Sequence, residues 1–364
     1  MTLTPSKILF VAETLSGHGG MENVTRQVID QLNRGSHFNA GLFLFESSYQ
    51  ITSDSWANEL VWGKSRRLTG NSKIYNFVHV QRLAKFIRQH RPDHIIALNT
   101  VPCMLARKAL NYSGHKATLY SWMHLPPKQR YRPHYLMLAD QHLAISEAIK
   151  SQLIELGAHP EHVHVIFNPV QMVNIVIPQP QTARFLFVGR VHFEEQKQLK
   201  DLFDALRHVR GDWLLDIVGD GDDRARCEAY AQQLGIADNI HWHGWQQNAW
   251  DYIASHIKQV TALVLTSNHE GFPLILLEAM ARGIFCISSD CVSGPSEIIS
   301  SGVNGYLYPV NDVVRLTTIL QSIVEGEVLP DAQSIKDSVI AFNEQNYMEK
   351  LTSIIDQDAP IEHS

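Results

Sequence analysis

The chain has 364 residues, 45% hydrophobic and 19% charged, enough for two ordinary domains with separate cores and unlike a disordered or fibrous chain. Its 31 Lys and Arg against 37 Asp and Glu give a net charge of −6, which argues against nucleic acid as a partner of the chain as a whole. The four cysteines form no CxxC pair, MTLTPSKILFVAE lacks a charged-then-apolar leader, and no run approaches the ~20 apolar residues that cross a bilayer; a protein of the reducing cytoplasm is expected, with membrane contact that is peripheral.

Residues 7–13 read as a buried strand, and 14–20 as a glycine-rich turn opening an amphipathic helix over 21–32. Adjacent Gly19 and Gly20 either let the backbone approach a ligand at the helix N-terminus or serve only a tight turn. Strands at 40–45, 94–98 and 118–121 alternate with helices at 74–89 and 101–110, which is an α/β pattern. His124, just past a strand end, reaches into a ligand site or is an ordinary satisfied histidine. A strand at 142–145, an N-cap at Ser146, a helix to 156 before Gly157 and a strand at 162–167 complete a first domain over 1–168. Three prolines in 169–183 mark an interdomain linker. Two basic groups, Lys64, Arg66, Arg67 and Lys73 near Trp56 and Trp62, and Lys128, Arg130 and Arg132 among Tyr131 and Tyr135, read as solvated faces or as a surface for a phosphorylated acceptor or an acidic membrane.

The second domain, 184–335, opens with a strand at 184–189. Arg190 and Lys197 flank an acidic loop after it. They either pair with Glu194 and Glu195 or project at the sheet's carboxyl edge towards Glu270, where a planar fork and a compact charge neutralise a leaving diphosphate. A strand at 213–218 runs into GDGDD. Gly219 and Gly221 resemble a dinucleotide loop without its third glycine, and the DxD of Asp220 and Asp222 reads as a turn in which Asp222 or Asp223 caps a helix at 224–234. No convincing metal-ligand spacing appears among 19 histidines, so no metal or other cofactor is expected. After a strand at 239–243, Gln246 carries an amide that offers a ligand both a donor and an acceptor, or is a surface residue. The central unit follows: a buried strand at 261–266, a polar break, and a helix with Pro273 at its first position and Gly283 as a left-handed cap. Glu270 lies in the break and Glu278 inside the helix. Acids beside a phosphate site repel phosphate, so both are expected to accept hydrogen bonds from sugar hydroxyls. A strand at 303–309 precedes helices, with 336–364 returning to the first domain and ending in a polar tail.

Glu270, seven intervening residues and Glu278, set in EGFPLILLEAMARG and followed by ISSDCVSGPSEII, resemble the retaining GT-B glycosyltransferases of the large GT4 family. The resemblance implies two Rossmann-like domains facing a central cleft, with the nucleotide sugar held mainly by the second and the acceptor by the first. It implies that Glu270 and His124 contact the donor sugar, that Glu278 holds the ribose, and that the backbone of Gly271, Phe272, Pro273 and Leu274 lines the sugar and diphosphate. By the same resemblance Arg190 and Lys197 hold the diphosphate, Gly19, Gly20 and Met21 approach it from the first domain, and Gly219 and Gln246 lie at the nucleotide. The strings GHGGMENV, HLAIS, QKQLKDLFD and TALVLTS are closely similar to family members that build lipopolysaccharide core, which implies UDP-galactose as donor, a core glucose as acceptor, and work at the cytoplasmic face of the inner membrane. WMHLPPKQRYRP is where the chain departs from them. Transfer from UDP-glucose or UDP-N-acetylglucosamine to another glycan or lipid, epimerisation of a UDP-sugar, and carbohydrate binding without turnover are the alternatives.

Overall fold

A computed structural model describes residues 4–14, 20–46, 57–66 and 72–357. The chain divides into two compact units, one running to Pro169 and resuming at Gln345, the other spanning Val170–Glu344.

Among the described residues the first unit carries β1 (Ser6–Glu13), β2 (Phe38–Phe45), β3 (Val61–Ser65), β4 (His94–Ala97), β5 (Thr118–Met123), β6 (Gln141–Ala144) and β7 (Val163–Val165). They form one parallel sheet in the order β3-β2-β1-β4-β5-β6-β7. Ile8, Leu9, Phe10 and Val11 are fully buried, as expected of a central parallel strand with helices on both faces. The register sets Ile8 opposite both Ala40 and His94. β3 was not expected; its half-buried VWGKS at the sheet edge has neither the apolar run nor the clean alternation that marks a strand. Helix Glu344–Gln357 belongs to this unit and buries Tyr347, Leu351, Ile354 and Ile355.

The second unit carries β8 (Ala183–Val188), β9 (Trp213–Val218), β10 (Ile240–Gly244), β11 (Ala262–Leu265), β12 (Phe285–Ser289) and β13 (Gly305–Tyr308). These too are all parallel, in the order β10-β9-β8-β11-β12-β13. In each sheet the order reverses beside the first strand, between β1 and β4 and between β8 and β11. Loops leaving the carboxyl ends on either side of such a reversal diverge and leave a crevice.

The structure redraws two expected boundaries. The proline-rich 169–183 is laid on the second unit, with the Ile177 N–H on the Arg282 carbonyl at 3.0 Å, the Val260 N–H on Pro178 at 3.0 Å and Lys336 Nζ on the Val173 carbonyl at 2.7 Å. Residues 336–344 stay with that unit as well, where Ser338 Oγ accepts from Asn304 at 2.9 Å and the Phe342 carbonyl accepts from Val170 at 2.8 Å. The exchange to the first unit comes at 344–345.

Gly219 has a packing role of its own. Its φ is +147°, and a Cβ there would lie 1.9 Å from the carbonyl oxygen of Gly189, itself at φ +149°. The turn after β9 can approach the turn after β8 this closely only with a glycine at 219, while the positive φ of Gly189 favours glycine there too. Gly219→Ala is expected to cost about 2 kcal/mol or more, combining backbone strain with the steric shift. Chemical denaturation against the native protein checks this, and an unchanged midpoint would show that the two turns can move apart freely.

Candidate functional site

The crevice of the second unit lies between the loop after β8 and the loop after β11, and hydrogen bonds lace the two together. The Asn268 N–H donates to the Gln196 carbonyl at 2.9 Å, Gln196 Nε2 to the His269 carbonyl at 3.2 Å, Thr266 Oγ1 to the Lys197 carbonyl at 2.7 Å, and Gln198 Nε2 to Asn268 Oδ1 at 3.0 Å. This lacing positions Lys197, whose ammonium lies 2.7 Å from Glu270 Oε1 with the two side chains only 14% and 10% exposed. Residues 73 apart in sequence thus form a largely desolvated ion pair at the switch point. Lys197 therefore faces Glu270 rather than the loop acids. Glu194 is taken by Arg226 at 2.7 Å, and Arg190, exposed at the strand end, makes no ion pair among the described residues.

The break after β11 is braced from below. Ser293 Oγ donates to the Gly271 carbonyl at 2.6 Å, and His269 bridges Val292. Gly294, at φ +100°, packs so closely that a Cβ would lie 2.5 Å from Pro273 Cδ. The SGP turn therefore shapes the loop that carries Glu270, Gly271 and Phe272. Helix Leu274–Met280 begins one residue later than expected, because Pro273 keeps an extended ψ of 90° and stands at the N-cap. It ends in a Schellman turn, with the Ile284 N–H on Ala279 at 3.1 Å, the Gly283 N–H on Met280 at 2.9 Å, and Gly283 at φ +75°.

Glu278 is half-buried in that helix and does have the partner its apolar surroundings demand, since Trp250 Nε1 donates to its Oε2 at 2.8 Å. Gln246 is folded back, with Nε2 on the His243 carbonyl at 2.8 Å, so one of its donors is already committed. The DxD is a turn: Asp220 accepts from the Gly221 N–H at 2.9 Å and lies 3.5 Å from Arg224. The expected side-chain cap does not form. Asp223 stands at the N-cap of helix Arg224–Leu234, but its carboxylate turns away to accept from the Phe193 N–H at 2.9 Å and so ties this turn to the β8 loop. Among the described residues no three His, Cys, Asp or Glu side chains converge as a metal site.

Beneath the crevice lies an ionic cluster the sequence did not reveal. Asp216 of β9 is fully buried. It receives Arg184 as a fork, at 2.5 and 3.0 Å, and His243 Nε2 at 2.7 Å. Burial pushes its carboxyl upward, but the bonds from Arg184 and His243 outweigh this and hold it below the usual carboxylate range.

The remaining candidates belong to the first unit. Gly20 is the first residue of helix Gly20–Arg34 and Met21 follows it half-buried, while Gly19 lies outside the described residues. His124 stands just past β5 with its ring 4.3 Å from that of Trp122 and its Nε2 buried without a hydrogen-bond partner. Burial pulls its pKa down to about 3, so the imidazole is neutral at physiological pH and can offer one N–H and one lone pair to a hydroxyl. The basic groups are partly neutralised. Lys64 pairs with Glu46 at 3.3 Å, Lys128 with Glu155, and Arg132 lies over the rings of Tyr131 and Tyr135 at 5.2 and 5.6 Å. Trp56 and Arg67 fall outside the described residues, as does the side chain of Lys73. All four cysteines are buried free thiols.

Comparison with known proteins agrees with this geometry. The family model described as Glycosyltransferase Family 4 matches residues 18–172, and that described as Glycosyl transferases group 1 matches 176–339. The chain is 39% identical to the lipopolysaccharide 1,6-galactosyltransferase of Escherichia coli (strain K12) over 96% of its own length and 98% of that protein's. It is 37% identical to the enzyme of the same name from Salmonella typhimurium, again over 96% and 98%. The apo form of the lipopolysaccharide outer core galactosyltransferase WaaB superposes with a TM-score of 0.90 at 37% identity, covering 96% of this chain and 99% of that one. Anabaena HepE in complex with UDP shares the fold at a TM-score of 0.78 and 16% identity, over 96% and 100%. With two parallel Rossmann-like sheets, paired acids in the second and these relatives along nearly its whole length, the chain belongs to the GT4 glycosyltransferases of GT-B architecture and is a hexosyltransferase.

Proposed function

We propose that the enzyme moves galactose from UDP-galactose onto a glucose of the lipopolysaccharide core, retaining the anomeric configuration and using no metal. The observation that carries this reading is the Lys197–Glu270 pair at the switch point of the second sheet, in a chain whose relatives are named for that galactosyl transfer.

The chemistry follows from what each group can do. An incoming diphosphate competes with Glu270 for the Lys197 ammonium. The released carboxylate turns to a sugar hydroxyl, which it can only accept from. As the bond from the anomeric carbon to the diphosphate oxygen breaks, negative charge grows on UDP, and in this reading Lys197, Arg190 and the backbone of Gly271–Leu274 stabilise it. The acceptor hydroxyl attacks the same face, and its proton passes to an oxygen of the departing phosphate. His124, with a neutral imidazole, is suited to hydrogen-bond a sugar hydroxyl. Glu278 takes the ribose hydroxyls, and Gly219 and Gln246 border the nucleotide. Metal independence is supported by the DxD, whose Asp220 is already engaged by Gly221 and Arg224. Among the described residues no helix is long and apolar enough to cross a membrane, which is compatible with our reading of a cytoplasmic enzyme reaching its lipid-borne acceptor peripherally.

The test offers UDP-galactose, UDP-glucose or UDP-N-acetylglucosamine to the purified enzyme in chelator, with and without truncated core lipopolysaccharide, and reads mass and linkage. Acceptor-dependent addition of one α-linked galactose is expected. Donor conversion without acceptor would reassign the enzyme as an epimerase, a preference for another sugar would overturn the donor, and activity only after metal is restored would overturn metal independence.

A further inference from the structure

We infer that Trp250 is a positioning residue for nucleotide recognition, holding Glu278 in the one orientation that presents a free carboxylate oxygen to the ribose. The inference rests on the reading of Glu278 given above and goes beyond it by naming what sets that acid.

A half-buried glutamate on a helix has several rotamers, and choosing one on binding costs conformational entropy. Here the choice is already made. The indole N–H can only donate, so its 2.8 Å bond takes Oε2 as acceptor and leaves Oε1 for a ligand. The indole is pinned from its other side, where the Arg282 guanidinium lies 4.6 Å over the ring and Arg282 Nη1 also donates to the Glu278 carbonyl at 2.8 Å. Arg282 thus grips both members of the pair.

The segment carrying Trp250 is anchored to the sheet. Trp250 lies in the short helix Ala249–Tyr252, and Tyr252 Oη is 3.0 Å from His243 Nδ1. His243 Nε2 donates to Asp216, so in the neutral ring Nδ1 accepts from the tyrosine. Hydrogen bonds therefore run from the buried Arg184–Asp216 fork through His243 to Tyr252, which shares a short helix with Trp250, the partner of the acid. The bound nucleotide would meet an acceptor already oriented, which is preorganisation.

The test measures calorimetric affinities of the full-length enzyme for UDP and for 2′,3′-dideoxy-UDP, which lacks both ribose hydroxyls. The proteins are native, Trp250→Phe, Glu278→Ala and the double variant. Phenylalanine keeps an aromatic ring for Arg282 and removes the N–H donor together with part of the indole's bulk, a loss that dideoxy-UDP controls for. We expect Trp250→Phe to weaken UDP roughly three- to tenfold, as for loss of a charged hydrogen bond's support, with dideoxy-UDP affected less than about twofold. The double variant should be no weaker than Glu278→Ala. Equal weakening of both ligands by Trp250→Phe would show a merely structural role and overturn the proposal, as would an unchanged preference for UDP while Glu278→Ala abolishes that preference. If Glu278→Ala itself keeps the native preference, the ribose reading of Glu278 fails instead.

Discussion

Glutamine in place of Glu270 is expected to lower turnover at saturating donor by roughly 10²–10³-fold, the range for removing one group aimed at the reacting centre, while UDP binds at least as tightly as to the native enzyme. The second half of this expectation comes from the ion pair. In the free protein Glu270 competes for the ammonium that the diphosphate needs, so removing its charge frees Lys197 for the nucleotide. Lys197→Met should do the reverse, weakening UDP and destabilising the fold by about 1–3 kcal/mol, because a carboxylate only 10% exposed loses its cation. Product assays for kcat and calorimetry for UDP check the pair of results. Undiminished turnover in Glu270→Gln would remove that acid from the site. A parallel loss of UDP affinity would move it from the sugar to the nucleotide.

The largest effect on stability is expected at Asp216, whose own side chain is fully buried. Asp216→Asn leaves Arg184 and His243 without the anion they converge on, and breaking such a buried pair costs roughly 3 kcal/mol or more. For a unit of this size that is a fall of about 6–12 °C in Tm. The effect has a pH signature. Because the folded-state pKa of Asp216 is depressed, its contribution is fully present above the unfolded value near 4 and is lost as pH falls through the folded value. The gap between native and Asp216→Asn stability should therefore be widest at neutral pH and begin to narrow below about pH 4. Urea unfolding from pH 7 to pH 3 measures it, and a gap that persists undiminished at pH 3 would mean that the ionised carboxylate is not what stabilises the fold.

Much of the architecture could be read from the chain because parallel strands buried on both faces are locally conspicuous. The strands at 213–218 and 261–266, the Ser146 cap and the left-handed Gly283 all stand within a residue or so of where pattern and turn chemistry put them. Elements whose stability comes from neighbours were harder. β3 is an edge strand with a half-buried, partly charged sequence, and only its pairing with β2 identifies it. The 169–183 segment has the prolines of a linker, yet hydrogen bonds to Arg282, Val260 and Lys336 hold it against the second unit. Asp223 sits at the N-cap position its residue type predicts, but the Phe193 N–H, thirty residues away in sequence, captures its carboxylate. Nothing near Trp250 in sequence marks it as the partner of Glu278.

By itself the sequence determined the residue types and the order of the elements: a strand, a polar break with Glu270, a helix with Glu278, and an Arg190–Lys197 loop opening the same domain. These are legible because periodicity and turn residues act over a few positions. What the tertiary structure decided is which of these groups meet. Lys197 chooses Glu270 over the nearer Glu194 and Glu195, Trp250 fixes one oxygen of Glu278, and Asp216 gathers Arg184 and His243, because the order β10-β9-β8-β11 brings the carboxyl ends and floors of distant strands together. The worth of each pairing depends on how far burial removes water from it, and that burial exists only in the folded unit.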